Sequence, residues 1–205
     1  MAKVKICGVN TPEALAAAAG ADWVGLVFFP RSPRFVTPEQ AAAISATLPG
    51  GPARVGLFVD PADDAVQAAL DRVPLAALQI YAPAERAAAL RTRFGLPVWH
   101  AVGIGTPADL PEHATGVDAL MLDAKPPVGA TRPGGNAAGF DWSMLQAWTP
   151  PLPWLLAGGL TPANVAGAIR LSHAPAVDVS SGVETAPGVK SADLIRAFIT
   201  AAKQG

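Results

Sequence analysis

Short runs of Val, Leu, Ile and Phe recur along this chain, and each ends in a Gly or a polar residue before a Thr-Pro or Asp-Pro pair opens an Ala-rich stretch: "KICGVNTPEALAAAA", "GLFVDPADDAVQAAL" and "LLAGGLTPANVAGAI" are three instances. The runs lack polar alternation, as expected of parallel strands covered on both faces. Thr or Asp can cap the orphan N–H groups of a helix start, and Pro suits the first helical position. The pattern predicts strands near 3–7, 23–28, 54–59, 76–80, 97–102, 118–122, 154–157 and 176–179. It predicts helices near 12–19, 38–48, 62–72, 84–94, 107–113, 141–147, 162–171 and 191–203. Eight βα units in 205 residues favour a closed α/β structure, a (β/α)₈ TIM barrel, over an open doubly wound sheet. No shift in composition marks a boundary, so residues 1–205 are read as one domain. The Pro- and Gly-rich stretch 123–140 is the one long irregular segment, of a kind that is usually functional or mobile.

Composition removes several function classes. The chain is 51% hydrophobic and 15% charged, with 15 basic against 16 acidic residues and a formal net charge of −1, so nothing steers it to nucleic acid. No apolar run approaches the roughly 18–20 residues of a membrane span, and no basic-then-apolar leader opens the chain. A cytoplasmic protein with no membrane partner is the expectation. One cysteine excludes an internal disulfide, and three scattered histidines lack metal-ligand spacing, so no metal site is expected.

Barrel chemistry gathers at the C-terminal ends of the strands. That rule collects Cys7 from the first strand, Arg34 from the loop after the second, Asp123 from the sixth, Gly158 and Gly159 after the seventh, and Asp178 with Ser180, Ser181 and Gly182 at the eighth. The last two loops combine paired glycines, hydroxyls and a helix start, which suits backbone N–H groups to an anion. Tight turns alone would explain either loop singly, but less well the two together. For Cys7 the competing reading is a small buried hydrophobe.

Taken in order, "KICGVNTPEAL", "FFPRSPRFV", "LFVD", "LDAK" with "PGGNAAGFDW", "LAGGLTPANVAGAI" and "VDVSSGVETAPGVKSADLIRAF" resemble the phosphoribosylanthranilate isomerase family of tryptophan biosynthesis along nearly the whole chain. The resemblance implies an Amadori rearrangement of N-(5-phosphoribosyl)anthranilate to 1-(2-carboxyphenylamino)-1-deoxyribulose 5-phosphate. It makes Cys7 the general base and Asp123 the general acid, gives Arg34 the anthranilate carboxylate and Asp178 a place in the substrate pocket, and assigns the phosphate to Gly158, Gly159, Ser180, Ser181 and Gly182. The partner is then a phosphorylated small molecule, the protein is a monomer or homodimer, and neither proton transfer needs a cofactor.

The chain departs from the family pattern at Tyr81 and Ala82, where Gln-Leu-His-Gly is common, at His100, where many relatives carry Lys, and in "GNAA", where Gly-Thr-Gly-Lys is frequent. Tyr81 is expected to tune substrate affinity without doing chemistry. Lys5 shares a face with Cys7 by period-two alternation and either assists the thiol or pairs with a carboxylate. Trp23, Trp99, Trp142, Trp148 and Trp154 read as packing residues, one of Phe28 and Phe29 as a pocket wall, and His113 and His173 as helix-end histidines. Other phosphate-binding barrels are the nearest rivals: indoleglycerol-phosphate synthase would want a Lys acid and a Glu base, and the two-substrate sugar isomerase a pair of Asp residues, one of them where this chain has Cys7. A barrel that binds a phosphorylated ligand without turnover is the rival of a different class, and the joint presence of Cys7, Arg34, Asp123 and Asp178 argues against it.

Overall fold

The computed structural model describes residues 1–126, 129, 133–135 and 139–205. Strands β1 (Lys3–Cys7), β2 (Trp23–Val27), β3 (Ala53–Val59), β4 (Ala77–Tyr81), β5 (Val98–Ile104), β6 (Ala119–Ala124), β7 (Trp154–Leu156) and β8 (Ala176–Val179) close into a barrel in chain order. Every pair is parallel, and β8 returns to β1 with Lys5 opposite Asp178. Helices α1 (Pro12–Ala17), α2 (Pro38–Ala46), α3 (Asp63–Leu70), α4 (Ala84–Phe94), α5 (Val165–Ser172) and α6 (Ala192–Gln204) accompany the strands.

Period-two alternation decides what enters the barrel. On β1, Val4 and Ile6 join the large cluster shared with Leu15 of α1 and Ile195 of α6, which leaves Lys5 and Cys7 to the interior. The lower interior is apolar, filled by Val55, Ala77, Trp99, Met121, Leu155 and Ala176 with Trp23 packed against them. Trp23 and Trp99 meet edge to face at 5.1 Å, and Trp148 meets Trp154 at 5.4 Å, so these four indoles pack as expected. Phe28 stacks on Phe58 at 5.1 Å while Phe29 lines the pocket at the mouth.

The Thr-Pro starts work as caps where the chain continues straight into a helix. Thr11 accepts from the N–H of Ala14, and Thr37 forms a reciprocal box with Gln40. Two predicted helices are absent. After β5 only a single 3₁₀ turn forms at Pro107–Asp109, because Pro111 pushes Leu110 into extended backbone at ψ 125°. After β6 another short turn spans Trp142–Leu145, and the prolines at 150, 151 and 153 prevent its extension. His113 therefore caps no helix, whereas His173 ends α5 in the left-handed region at φ 55°. A hairpin of β9 (Glu184–Ala186) and β10 (Val189–Lys190) follows β8 and was not foreseen. No helix among the described residues is long and apolar enough to cross a membrane.

Candidate active site

Strand ends and βα loops place Cys7, Arg34, Asp123, Gly158, Gly159, Asp178, Ser180, Ser181 and Gly182 around a single pocket at the barrel mouth. All the residues singled out from the sequence as site candidates are thus brought together. His100 is not among them: it alternates with the inward Trp99 and Ala101, and its Nε2–H donates to the carbonyl of Ala82 at 2.8 Å. Asn136, Ala137 and Ala138 of the "GNAA" stretch lie outside the described residues.

The β1 and β8 side carries the charge. Lys5 is fully buried, and its ammonium donates to Asp178 Oδ1 at 2.7 Å, so the strand register gives this lysine its carboxylate partner while leaving it beside the thiol. Burial opposes the ammonium charge, but Asp178 and Cys7 outweigh it and raise the Lys5 pKa. Gly25 on β2 makes room for both side chains, since a Cβ there would lie 2.9 Å from Cys7 Sγ and 3.0 Å from Lys5 Nζ. Burial pushes the Cys7 thiol above its ordinary pKa, and the pull of Lys5 in the other direction is smaller. The resting site therefore holds Cys7 as a thiol, with an ammonium beside it that favours the thiolate when a proton leaves.

Across the pocket, Asp123 closes β6, three strands from β1 round the barrel. Its Oδ1 accepts the N–H of Ala124 at 2.9 Å, and its Oδ2 accepts the Tyr81 hydroxyl at 2.9 Å. Burial raises its pKa to about 6 against the lowering effect of the Tyr81 bond, with the Asp178 charge adding to the rise. Tyr81 itself is held well above the usual phenol pKa, by burial first and then by Asp123, so it remains a donor throughout the working range.

Arg34 is fixed by a fork on Glu184, Nε to Oε1 at 2.7 Å and Nη2 to Oε2 at 2.8 Å, while Lys190 Nζ reaches Glu184 Oε1 at 2.8 Å and Ser180 O at 2.9 Å. Burial works against the Glu184 charge, and the two cations overcome it and lower its pKa. Glu184 and Lys190 were missed in the sequence, where they read as loop charges; their only signal was two opposite charges flanking the turn "TAPGV". In the neighbouring loop Gly158 and Gly159 adopt φ +83° and +68°, and Asn164 folds back on them, accepting from Thr161 N at 2.7 Å and donating to Gly159 O at 2.9 Å. That fold-back delays α5 to Val165, three residues after its predicted start.

A family model described as "PRAI: N-(5'phosphoribosyl)anthranilate (PRA) isomerase" matches residues 4–201. The N-(5'-phosphoribosyl)anthranilate isomerase of Acidiphilium cryptum (strain JF-5) is 60% identical to this chain over 206 residues, covering 98% of each. Among solved structures, the phosphoribosyl anthranilate isomerase of Thermotoga maritima superposes with a TM-score of 0.86 at 36% identity, covering 100% of both chains. A phosphoribosyl anthranilate isomerase in complex with reduced 1-(o-carboxyphenylamino)-1-deoxyribulose 5-phosphate superposes with a TM-score of 0.83 at 35% identity, again over 100% of both chains.

Proposed function

Since the chain belongs to the N-(5'-phosphoribosyl)anthranilate isomerase family, we propose that its pocket carries out that isomerisation with Asp123 as general acid and Cys7 as general base. The observation that carries the assignment is the pairing across one pocket of a carboxyl raised to about 6 and a thiol beside a buried ammonium. Asp123 gives its proton to the furanose ring oxygen as the C1′–O bond breaks and the anthranilate nitrogen lone pair forms the C=N bond. The Cys7 thiolate then takes the C2′ proton, and its electron pair moves into the C1′–C2′ bond to give the enolamine. Tautomerisation moves the enol O–H proton to C1′ with no net gain or loss, and returning one proton from Cys7 to Asp123 resets the site. The pair thus holds one proton at the start and the end of each turnover; at rest the thiol keeps it, and the reactive arrangement, with the proton on Asp123 and Cys7 as thiolate, is the minor form of the same one-proton state.

Opposed placement supports this division of labour, because each group can be held at its own atom of the sugar. Activity is expected to fall below the Asp123 pKa of about 6, where both groups are protonated, and again at alkaline pH, where Cys7 and Asp123 are both ionised. Arg34, its plane fixed by Glu184, suits the anthranilate carboxylate as a planar guanidinium partner. The glycines and serines of the loops after β7 and β8 suit the phosphate. Asp178 lines the pocket while neutralising Lys5. The substrate class is supported by the phosphorylated product analogue bound in the solved relative. Freshly generated phosphoribosylanthranilate added to the purified protein should lose its anthranilate-conjugate fluorescence at a rate proportional to protein; no loss above the uncatalysed rate would overturn the assignment.

A further inference from the structure

Tyr81 is the chain's single tyrosine, and its hydroxyl sits between two groups of the barrel interior. The Gln79 amide, on the same face of β4, approaches the phenol oxygen at 3.4 Å, and the phenol proton is given to Asp123 Oδ2 at 2.9 Å. The amide below leaves the phenol oxygen free to release its own proton in only one direction, toward β6. Gly134 covers this hydrogen bond from the loop: a Cβ on Gly134 would collide with Asp123 Oδ2 and approach the Tyr81 hydroxyl to 2.7 Å. The bond is therefore enclosed by protein on the loop side, and a donor in low dielectric acts more strongly on its acceptor than one in water.

We propose that Tyr81 is a positioning residue for Asp123, its hydroxyl fixing the orientation of the carboxyl group and favouring its ionised form so that the acid releases its proton to substrate. This rests on the role of Asp123 given above. Among the described residues, the other charged groups acting on Asp123 are Lys5 from β1 and Asp178 from β8, with Cys7 of β1 lining the same pocket, while β5 and the loop after β7 set Gly103 and Gly158 beside it; Lys125, just past β6, is turned to Asp109. Lys5 is already neutralised by Asp178, which leaves the phenol as the nearest side-chain donor to the acid among the described residues. A donated hydrogen bond stabilises the carboxylate over the carboxylic acid, so removing it raises the proton affinity of Asp123. A side chain that only packed against the substrate would alter KM and leave the acid limb of the pH profile in place.

Growth on 3-fluorotyrosine labels position 81 alone, and ¹⁹F NMR then follows the phenol through a pH titration without any turnover. The fluorine resonance should shift with a midpoint near the Asp123 pKa of about 6, and Asp123→Asn should abolish the transition. A resonance that passes through this range unchanged would overturn the coupling. In parallel, Tyr81→Phe should move the acid limb of kcat/KM upward by about one pH unit, whereas an unmoved limb with only KM raised would assign Tyr81 to substrate packing and overturn the proposal. Because the fluorine titration needs no activity, an intact transition in a protein that fails to isomerise would count against the function of the pocket and leave the Tyr81–Asp123 coupling standing.

Discussion

Asp178 meets an ammonium at 2.7 Å, whereas Asp123, with the same 7% exposure in the same pocket, meets a phenol and a peptide N–H. The difference separates two uses of a buried carboxylate. On the β8 side the charge is matched by Lys5, and the pair supplies a fixed field beside Cys7. On the β6 side the donors are neutral, so burial prevails and the proton is held until about pH 6. One aspartate is held in an ion pair and the other lies among neutral donors, and the identity of the nearest donor sets the distinction.

Breaking the matched side should have the largest effect on stability. Lys5→Ala removes the cation and leaves Asp178 buried without its partner, which should cost about 3–5 kcal/mol in urea unfolding. Lys5→Met combined with Asp178→Leu should recover most of that loss, since a well-packed apolar pair replaces a buried ion pair at little cost. A small loss for Lys5→Ala alone would mean that Asp178 finds water or another donor in the pocket.

The unmatched side predicts the opposite sign. The Asp123 pKa is raised in the fold, so its contribution is fully present below the ordinary carboxylate range near 3.8 and is lost as pH rises through about 6. Asp123→Asn cannot ionise and should therefore be more stable than the parent by about 3 kcal/mol at pH 8, with most of the advantage gone at pH 4. Thermal unfolding at the two pH values checks it. Equal stability of the two proteins at pH 8 would mean that the carboxylate is better solvated than its burial implies.

Much of this contrast is legible in the sequence itself, and part of it is not. The β1 alternation already sends Lys5 and Cys7 to one side, and the strand ends already collect Asp123 and Asp178. The partner of Lys5 depends on β8 returning to β1 in a register that sets Lys5 opposite Asp178, a contact between residues 173 positions apart. Tyr81 shows the same limit: its place at a strand end was visible, but its acceptor lies 42 residues away on β6. Local rules also failed where two of them competed. Thr106-Pro107 signals a helix start, and Pro111 four residues later ends it after one turn. Glu184 and Lys190 sit on strands of three and two residues, too short for any periodicity, and acquire their meaning only from Arg34.

The division between acid and base is tested most directly by the kcat of Cys7→Ala, with circular dichroism establishing that the barrel is intact. Loss of a positioned base costs about 10²- to 10⁴-fold, so kcat should fall by at least 10²-fold while substrate affinity changes far less. Near-parental turnover in the folded variant would contradict the account and leave Cys7 as a small apolar residue of the barrel interior.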